Sequence, residues 1–218
     1  MALPTFDELP FNSRPDLTPY LIHLTKYTQA ADEYSAYENL VSILKSGEIW
    51  GSGRKKGFVK GPRKATCFTD VPFQALKYVL TPENTDPENP RYEPYGLIIK
   101  KSTAYNKGCR PVLYLSNSEI KTLNIPEDEL WRVVRFEPRD EGWISWIHER
   151  EWGCSGNFKV PSKPLAALVK DTRDALKLQK QIEKESKEFK CKPSSIIPLS
   201  IICQGLLPPK PGKAHDHK

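Results

Sequence analysis

The chain has 218 residues, 38% hydrophobic and 28% charged, a balance that supplies one apolar core beneath a solvated surface. Its net charge of +6, from 33 basic and 27 acidic residues, suits an anionic ligand or nucleic acid and requires neither. No run of about 18 apolar residues is present to cross a membrane, and the opening MALPTFDELP lacks the pattern of a signal peptide.

Five widely spread cysteines without a CxxC pair fit neither a disulfide framework nor a zinc ribbon. The expectation is a cytoplasmic protein with reduced thiols, no metal and no membrane partner.

In chain order, residues 1–19 read as a proline-spotted N-terminal arm and 20–25 (YLIHLT) as a short buried strand. Ser35 and Glu38 stand at capping-box spacing. Behind them Tyr37, Leu40, Val41 and Leu44 fall at i, i+3, i+4 and i+7, the apolar stripe of a helix that Gly47 ends. From 51 to 64 the chain changes character: four glycines alternate with Arg54, Lys55, Lys56, Lys60, Arg63 and Lys64, and no acid interrupts them. A strand at 65–69 leads to a helix at 72–80, then to a proline-rich, acidic loop at 81–94. Residues 96–100 (GLIIK) and 111–115 (PVLYL) read as strands, and 116–137 as a stretch with a helix around Trp131. The alternation of 143–152 (WISWIHEREW) reads as one further strand. Residues 165–169 form a buried strand, and Asp171 caps a charged amphipathic helix that reaches about Phe189. A last strand at 195–203 is broken by Pro198, and the tail at 205–218 has a disordered composition. The expected architecture is a single α+β domain over 20–204, with a mixed or antiparallel β core flanked by short helices.

Four groups carry candidate chemistry. If 143–152 is one strand, its period of two puts Glu149 and Glu151 on one face, with His148, Arg150 and Trp152 on the other. Two carboxylates side by side repel, so one pKa rises unless a cation intervenes. Such a pair suits chemistry in which positive charge develops on a sugar; the alternative is a solvated strand edge. His23, between Ile22 and Leu24 with Thr25 beyond, reads either as a core histidine with one satisfied nitrogen or as a ligand contact. Phe68 and Asp70 lie where a strand runs into an Asp-capped helix. Tyr78 on that helix either offers an aromatic face to a flat heterocycle or packs half-buried. The basic glycine segment suits a pyrophosphate or a nucleic-acid backbone, yet matches neither GxGxxG nor GxxxxGK(S/T).

The order of these groups resembles the ADP-ribosyltransferase fold: H-x-T on an early strand, F-x-D between strand and helix with a downstream tyrosine, and E-x-E on a late strand. His23-Leu24-Thr25 resembles the H-G-(S/T) strand of the poly-ADP-ribose polymerase branch, Cys67-Phe68-Thr69-Asp70 its Y-F-x-D turn, and Glu151 its late glutamate. Leu24 stands where that branch has glycine, and Cys67 where it has its first stacking tyrosine. The strings IHLTK, ENLVSILKSGEIW, ATCFTDVPF, PYG and WIHEREW are also similar to bacterial abortive-infection proteins of the AbiGi type, and more distantly to DarT toxins, over residues 20–170.

What the resemblance implies is an enzyme with NAD as its substrate. His23 would bind a ribose hydroxyl, Thr25 the nicotinamide amide or an adjacent ribose, and Phe68 would belong to the cofactor-binding turn. Tyr78 or Tyr95 would supply the stacking surface, and Arg54 with its neighbours would meet the pyrophosphate or an acceptor nucleic acid. Glu151 would hold the nicotinamide ribose and stabilise the cation as nicotinamide leaves, while Glu149 would position or deprotonate the acceptor. The expected activity is ADP-ribosyl transfer to a macromolecule, nucleic acid favoured over protein, by a toxin or phage-defence effector with a cognate antitoxin as a further partner. DNA or RNA would be met through Arg54, Lys55, Lys56, Lys60, Arg63 and Lys64. Two alternatives stay open. One is a non-catalytic nucleic-acid or partner-binding module of the same fold that uses the basic segment with Trp143, Trp146 and Trp152. The other is a metal-independent nuclease built on His23 and Glu151.

Overall fold

The computed structural model describes residues 14, 16–28, 34–53, 59–86 and 90–203. Most of the N-terminal arm, Arg54, Lys55, Lys56 and the 205–218 tail lie outside the described residues. The architecture is mixed α/β: a seven-stranded, mostly antiparallel sheet with several short helices on its two faces. Its strands are β1 (Tyr20–Leu24), β3 (Ala65–Thr69), β4 (Gly96–Lys100), β5 (Arg110–Pro111), β10 (Glu151–Ser155), β12 (Ala166–Val169) and β13 (Ile196–Pro198), in the order β13-β12-β4-β1-β3-β10-β5. Only β12 and β13 pair in parallel within it. Gly96 faces Leu24 in the β1–β4 pair, where a Cβ would lie 2.1 Å from the His23 carbonyl oxygen.

Two apolar clusters hold the sheet from either side. On one face pack α1 (Ala36–Ser46), α3 (Lys101–Asn106) and α5 (Thr172–Lys184), through Leu40, Leu44, Ala104 and Leu178. The capping box of α1 forms in both directions: the Ser35 hydroxyl accepts from Glu38 N, and Glu38 accepts from Ser35 N. Gly47 ends the helix in the left-handed region at φ 72°. Asp171 caps α5 by accepting from Asp174 N at 3.0 Å. On the other face lie α2 (Leu76–Val79) and a 3-10 turn (Leu199–Ile201), packed through Leu76, Leu80 and Leu199 onto Ile22, Ile98 and Leu168.

Small ribbons close the edges. They are β2 (Glu48–Ile49) with β11 (Phe158–Lys159), β6 (Leu113–Leu115) with β7 (Val133–Arg135), and β8 (Glu137–Arg139) with β9 (Gly142–Ile144). A further helix, α4 (Asn117–Thr122), carries its own capping box through Ser116 and Glu119. No helix among the described residues is long and apolar enough to cross a membrane.

Several expectations change, and the last strand expected at 195–203 ends at Pro198, where the 3-10 turn Leu199–Ile201 follows. PVLYL is split: Pro111 pairs with β10, whereas 113–115 joins β7 in a separate ribbon. The helix after Asp171 stops at Lys184 rather than near Phe189, and Phe189 returns to the core at 4% exposure. Helix α3 starts directly at the end of β4, in a polar stretch (KSTAYN) that carries no apolar period. WISWIHEREW is not one strand. It is β9, a 3-10 turn (Ile147–Glu149) and the head of β10, joined through Arg150 at φ 47°.

Candidate functional site: a carboxylate pair at the head of β10

The registers of the central strands decide which side chains meet. In β1 and β3 Ile22 faces Thr69, and in β3 and β10 Thr69 faces Glu151. Opposed residues share a face and successive residues alternate. Leu24, Cys67, Thr69, Glu151 and Gly153 therefore occupy one face, while Leu21, His23, Phe68, Trp152 and Cys154 occupy the other. The three strands that carry the H-x-T, F-x-D and E-x-E residues are immediate neighbours, yet His23 and Glu151 project from opposite sides of them.

On the first face the two carboxylates converge. They do so through the left-handed turn at Arg150, φ 47° and ψ 53°, and not through strand alternation, since Glu149 precedes β10. Three bonds pin that turn. The Thr69 hydroxyl donates to the Glu149 carbonyl, Asp70 N donates to the Arg150 carbonyl at 3.0 Å, and the Tyr114 hydroxyl accepts from Glu151 N at 3.0 Å. Glu149 Oε1 accepts from the Tyr92 hydroxyl and lies 3.4 Å from Arg91 Nη2. Burial raises the pKa of Glu151, the Cys67 thiol opposes that shift as a donor, and the Glu149 charge adds to it. Burial and then both glutamates push the Cys67 thiol well above its ordinary value, so it stays protonated and donates to Glu151. Trp131 walls the site beyond the pair: a Cβ on Gly153 would stand 3.0 Å from its ring.

The opposite face is closed by core packing. His23 Nδ1–H donates to the Cys67 carbonyl at 2.8 Å, and burial lowers the histidine pKa against that bond. Its ring meets Phe68 edge-on at 5.7 Å, and Phe68 meets Phe158 at 5.0 Å. Phe68 is 3% exposed and serves the core. The buried Thr25 hydroxyl donates to the Ala36 carbonyl at 2.8 Å, where it ties β1 to α1.

Asp70 does not cap the following helix, whose start has no side-chain cap. It turns inward instead, with Oδ1 2.8 Å from the buried Lys101 Nζ and Oδ2 accepting from Trp152 Nε1 at 3.2 Å. Tyr78 is 72% exposed with Lys77 Nζ 5.0 Å over its ring. It lines a cleft of about 540 Å³ together with His148 and Arg150, the two residues that flank Glu149. Tyr95 gives its hydroxyl to Asp174 of α5 at 2.8 Å. In the described part of the basic segment, Lys60 donates to Asn117 at 3.2 Å and Arg63 pairs with Asp128 at 2.7 Å, while Lys64 is exposed. Among the tryptophans, Trp152 is buried, Trp143 is exposed against Phe136, and Trp146 lies 4.6 Å beneath the Arg91 guanidinium.

Sequence reasoning missed Arg91, Tyr92, Tyr114 and the donor role of Cys67. Tyr92 and Arg91 stand in the 81–94 loop, where no periodicity points to a site. Their only signal was the aromatic and cationic density of RYEPY. Among the described residues no group of three or more His, Cys, Asp or Glu side chains gathers as a metal site. Comparison with protein-family models, curated proteins and solved structures finds no match.

Proposed function

We propose that this chain is a transferase of the ADP-ribosyltransferase-like class, which moves ADP-ribose from NAD to a macromolecular acceptor, nucleic acid before protein, as a toxin or phage-defence effector in the cytoplasm. One observation carries the reading. A half-buried glutamate pair, Glu149 and Glu151, sits at the head of the third of three neighbouring strands whose motif order resembles that class.

Cleavage of the bond between nicotinamide and ribose leaves positive charge on the sugar, and a desolvated carboxylate is the group that stabilises it most. Glu151 takes that role, held by Cys67 and by the pinned backbone at Tyr114. Its raised pKa is no obstacle, because the cationic nicotinamide ring brings the opposite charge that favours ionisation. Glu149, oriented by Tyr92 and Arg91, accepts the proton of the attacking acceptor group while nicotinamide departs. His23 and Phe68 lie behind this site and support the sheet, so the stacking surface falls to Tyr92 and Tyr114. A cognate antitoxin is the partner this reading calls for.

Purified protein with labelled NAD and single-stranded DNA, RNA or cell lysate tests the reading beside Glu151→Gln. Transfer by the wild type, reduced at least ~100-fold in the variant, is the expected outcome. Equal transfer by both would sink it. A second reading, a non-catalytic nucleic-acid module, draws on the Arg91–Trp146 stack and the exposed Trp143. NAD left intact in every mixture would move the weight there.

A further inference from the structure

The cleft beside the carboxylate turn has a composition the transferase chemistry does not use. Its floor is apolar, from Val71, Pro72 and Ala75, and its rim carries Lys77, Tyr78, His148 and Arg150. At about 540 Å³ it falls within the size range of small-ligand pockets, about 300–1,000 Å³. Tyr78, on a four-residue helix at the rim of this cleft, leaves an aromatic face open to solvent at 72% exposure. Two cations stand beside it, Lys77 and Arg150, while His148 lies with its Nε2 3.3 Å from Arg91 Nη2. Lys77 has no ion-pair partner among the described residues, and its ammonium stands 5.0 Å over the Tyr78 ring. Arg150 spends one donor on the Asp16 carbonyl at 2.7 Å. Asp16, the one acid among the described residues of the rim, is already held by Arg14 at 2.8 Å. By contrast, Lys60 and Arg63 of the basic segment are engaged by Asn117 and Asp128.

We propose that this cleft seats one unpaired nucleotide of a single-stranded nucleic acid, its base on Tyr78 and its phosphate among Lys77, His148 and Arg150. An open ring face with adjacent cations is the stacking platform and backbone contact that such strands use. A duplex hides its base faces and offers Tyr78 nothing to stack on. His148 and Arg150 bracket Glu149, so the seated strand passes beside the carboxylate pair. The assignment of this strand as the acceptor rests on the transferase reading above; the binding site itself does not.

The test is fluorescence anisotropy of the full chain, without NAD, on single-stranded DNA, single-stranded RNA and duplex oligonucleotides of one sequence. Tyr78→Ala should weaken single-strand binding roughly 5- to 100-fold, as loss of one stacked base does, and Tyr78→Phe should keep it. Lys77→Ala should lower the slope of log affinity against log salt by about 0.7. Tyr78-dependent binding in a protein that never consumes NAD upholds the cleft and overturns the transferase reading. The cleft proposal is overturned if the wild type binds no single strand, if Tyr78→Ala binds unchanged, or if duplex binds as tightly as single strand.

Discussion

The two faces of the β1–β3–β10 triplet differ in kind although the same short motifs supply both. One face carries His23, Phe68 and Trp152 beneath α1 and α5, where polar atoms are consumed by neighbours: His23 by the Cys67 carbonyl, Trp152 by Asp70. The other carries Cys67, Thr69 and Glu151, where a carboxylate is desolvated beside a neutral thiol and a second carboxylate. A motif read along the chain lists residues of both faces as if they met. The register of the antiparallel pairs sorts them, and it assigns stability to one side and candidate chemistry to the other.

The largest expected effect breaks the first face. Phe68→Ala removes a ring that is 3% exposed and packed edge-on against Phe158 and His23. Such truncations cost about 3–5 kcal/mol, so the urea midpoint should drop sharply. A loss below about 1 kcal/mol, the scale of ordinary surface changes, would show that Phe68 is not a core residue and reopen it as a ligand contact.

The second effect is smaller and tests the other face. Thr69→Val keeps shape but withdraws the hydroxyl that donates to the Glu149 carbonyl. The stability loss should be about 1 kcal/mol, with transfer falling by a larger factor because the carboxylate turn loosens. If activity falls only as far as the folded fraction does, the turn is not positioned through Thr69. Replacing Arg150 by Gly sharpens the same point. A left-handed residue other than glycine carries a penalty of roughly 1 kcal/mol, which Gly relieves and Val would aggravate, so midpoints should order as Gly above Val.

These contrasts also explain what was legible in the sequence. Helix α1 was readable to the residue, because Ser35, Glu38 and Gly47 carry their own local chemistry. Strands β1, β3, β4 and β12 were readable from apolar runs bounded by polar segments. The 143–152 segment was misread because alternation of tryptophan, isoleucine and glutamate looks like a strand. Tertiary bonds, among them those from Thr69, Asp70 and Tyr114, hold Arg150 in the conformation that interrupts it. The sequence brings Glu149 and Glu151 together by strand alternation, whereas the structure brings them together through the left-handed turn at Arg150. Arg91 and Tyr92 reach Glu149 from 58 and 57 residues away, a closure that no local pattern records. Opposite placement of His23 and Glu151 depends on two registers at once, and a register shift of one residue would have reversed it.

The smallest effect is a difference in sign between the faces. Glu151 has its pKa raised in the fold by burial, so its contribution is fully present below the unfolded value of 4.5 and is lost as pH rises through the raised value. Glu151→Gln escapes that loss and should gain on the wild type as pH rises from acid toward neutral. His23 has its pKa lowered by burial, so its contribution is present above the unfolded 6.5 and is lost as pH falls through the lowered value. His23→Asn lacks that titration and should lose less than the wild type on acidification, apart from a constant offset for the altered bond to the Cys67 carbonyl. Urea midpoints for the three proteins across this range therefore give two difference curves, one for each face. Glu151→Gln should draw ahead of the wild type on the alkaline side, and His23→Asn should recover ground on the acid side. A flat curve for Glu151→Gln would mean that the carboxylate is solvated and its neighbours do not hold it. A flat curve for His23→Asn would place the imidazole in water, on a face that must then be open to a ligand.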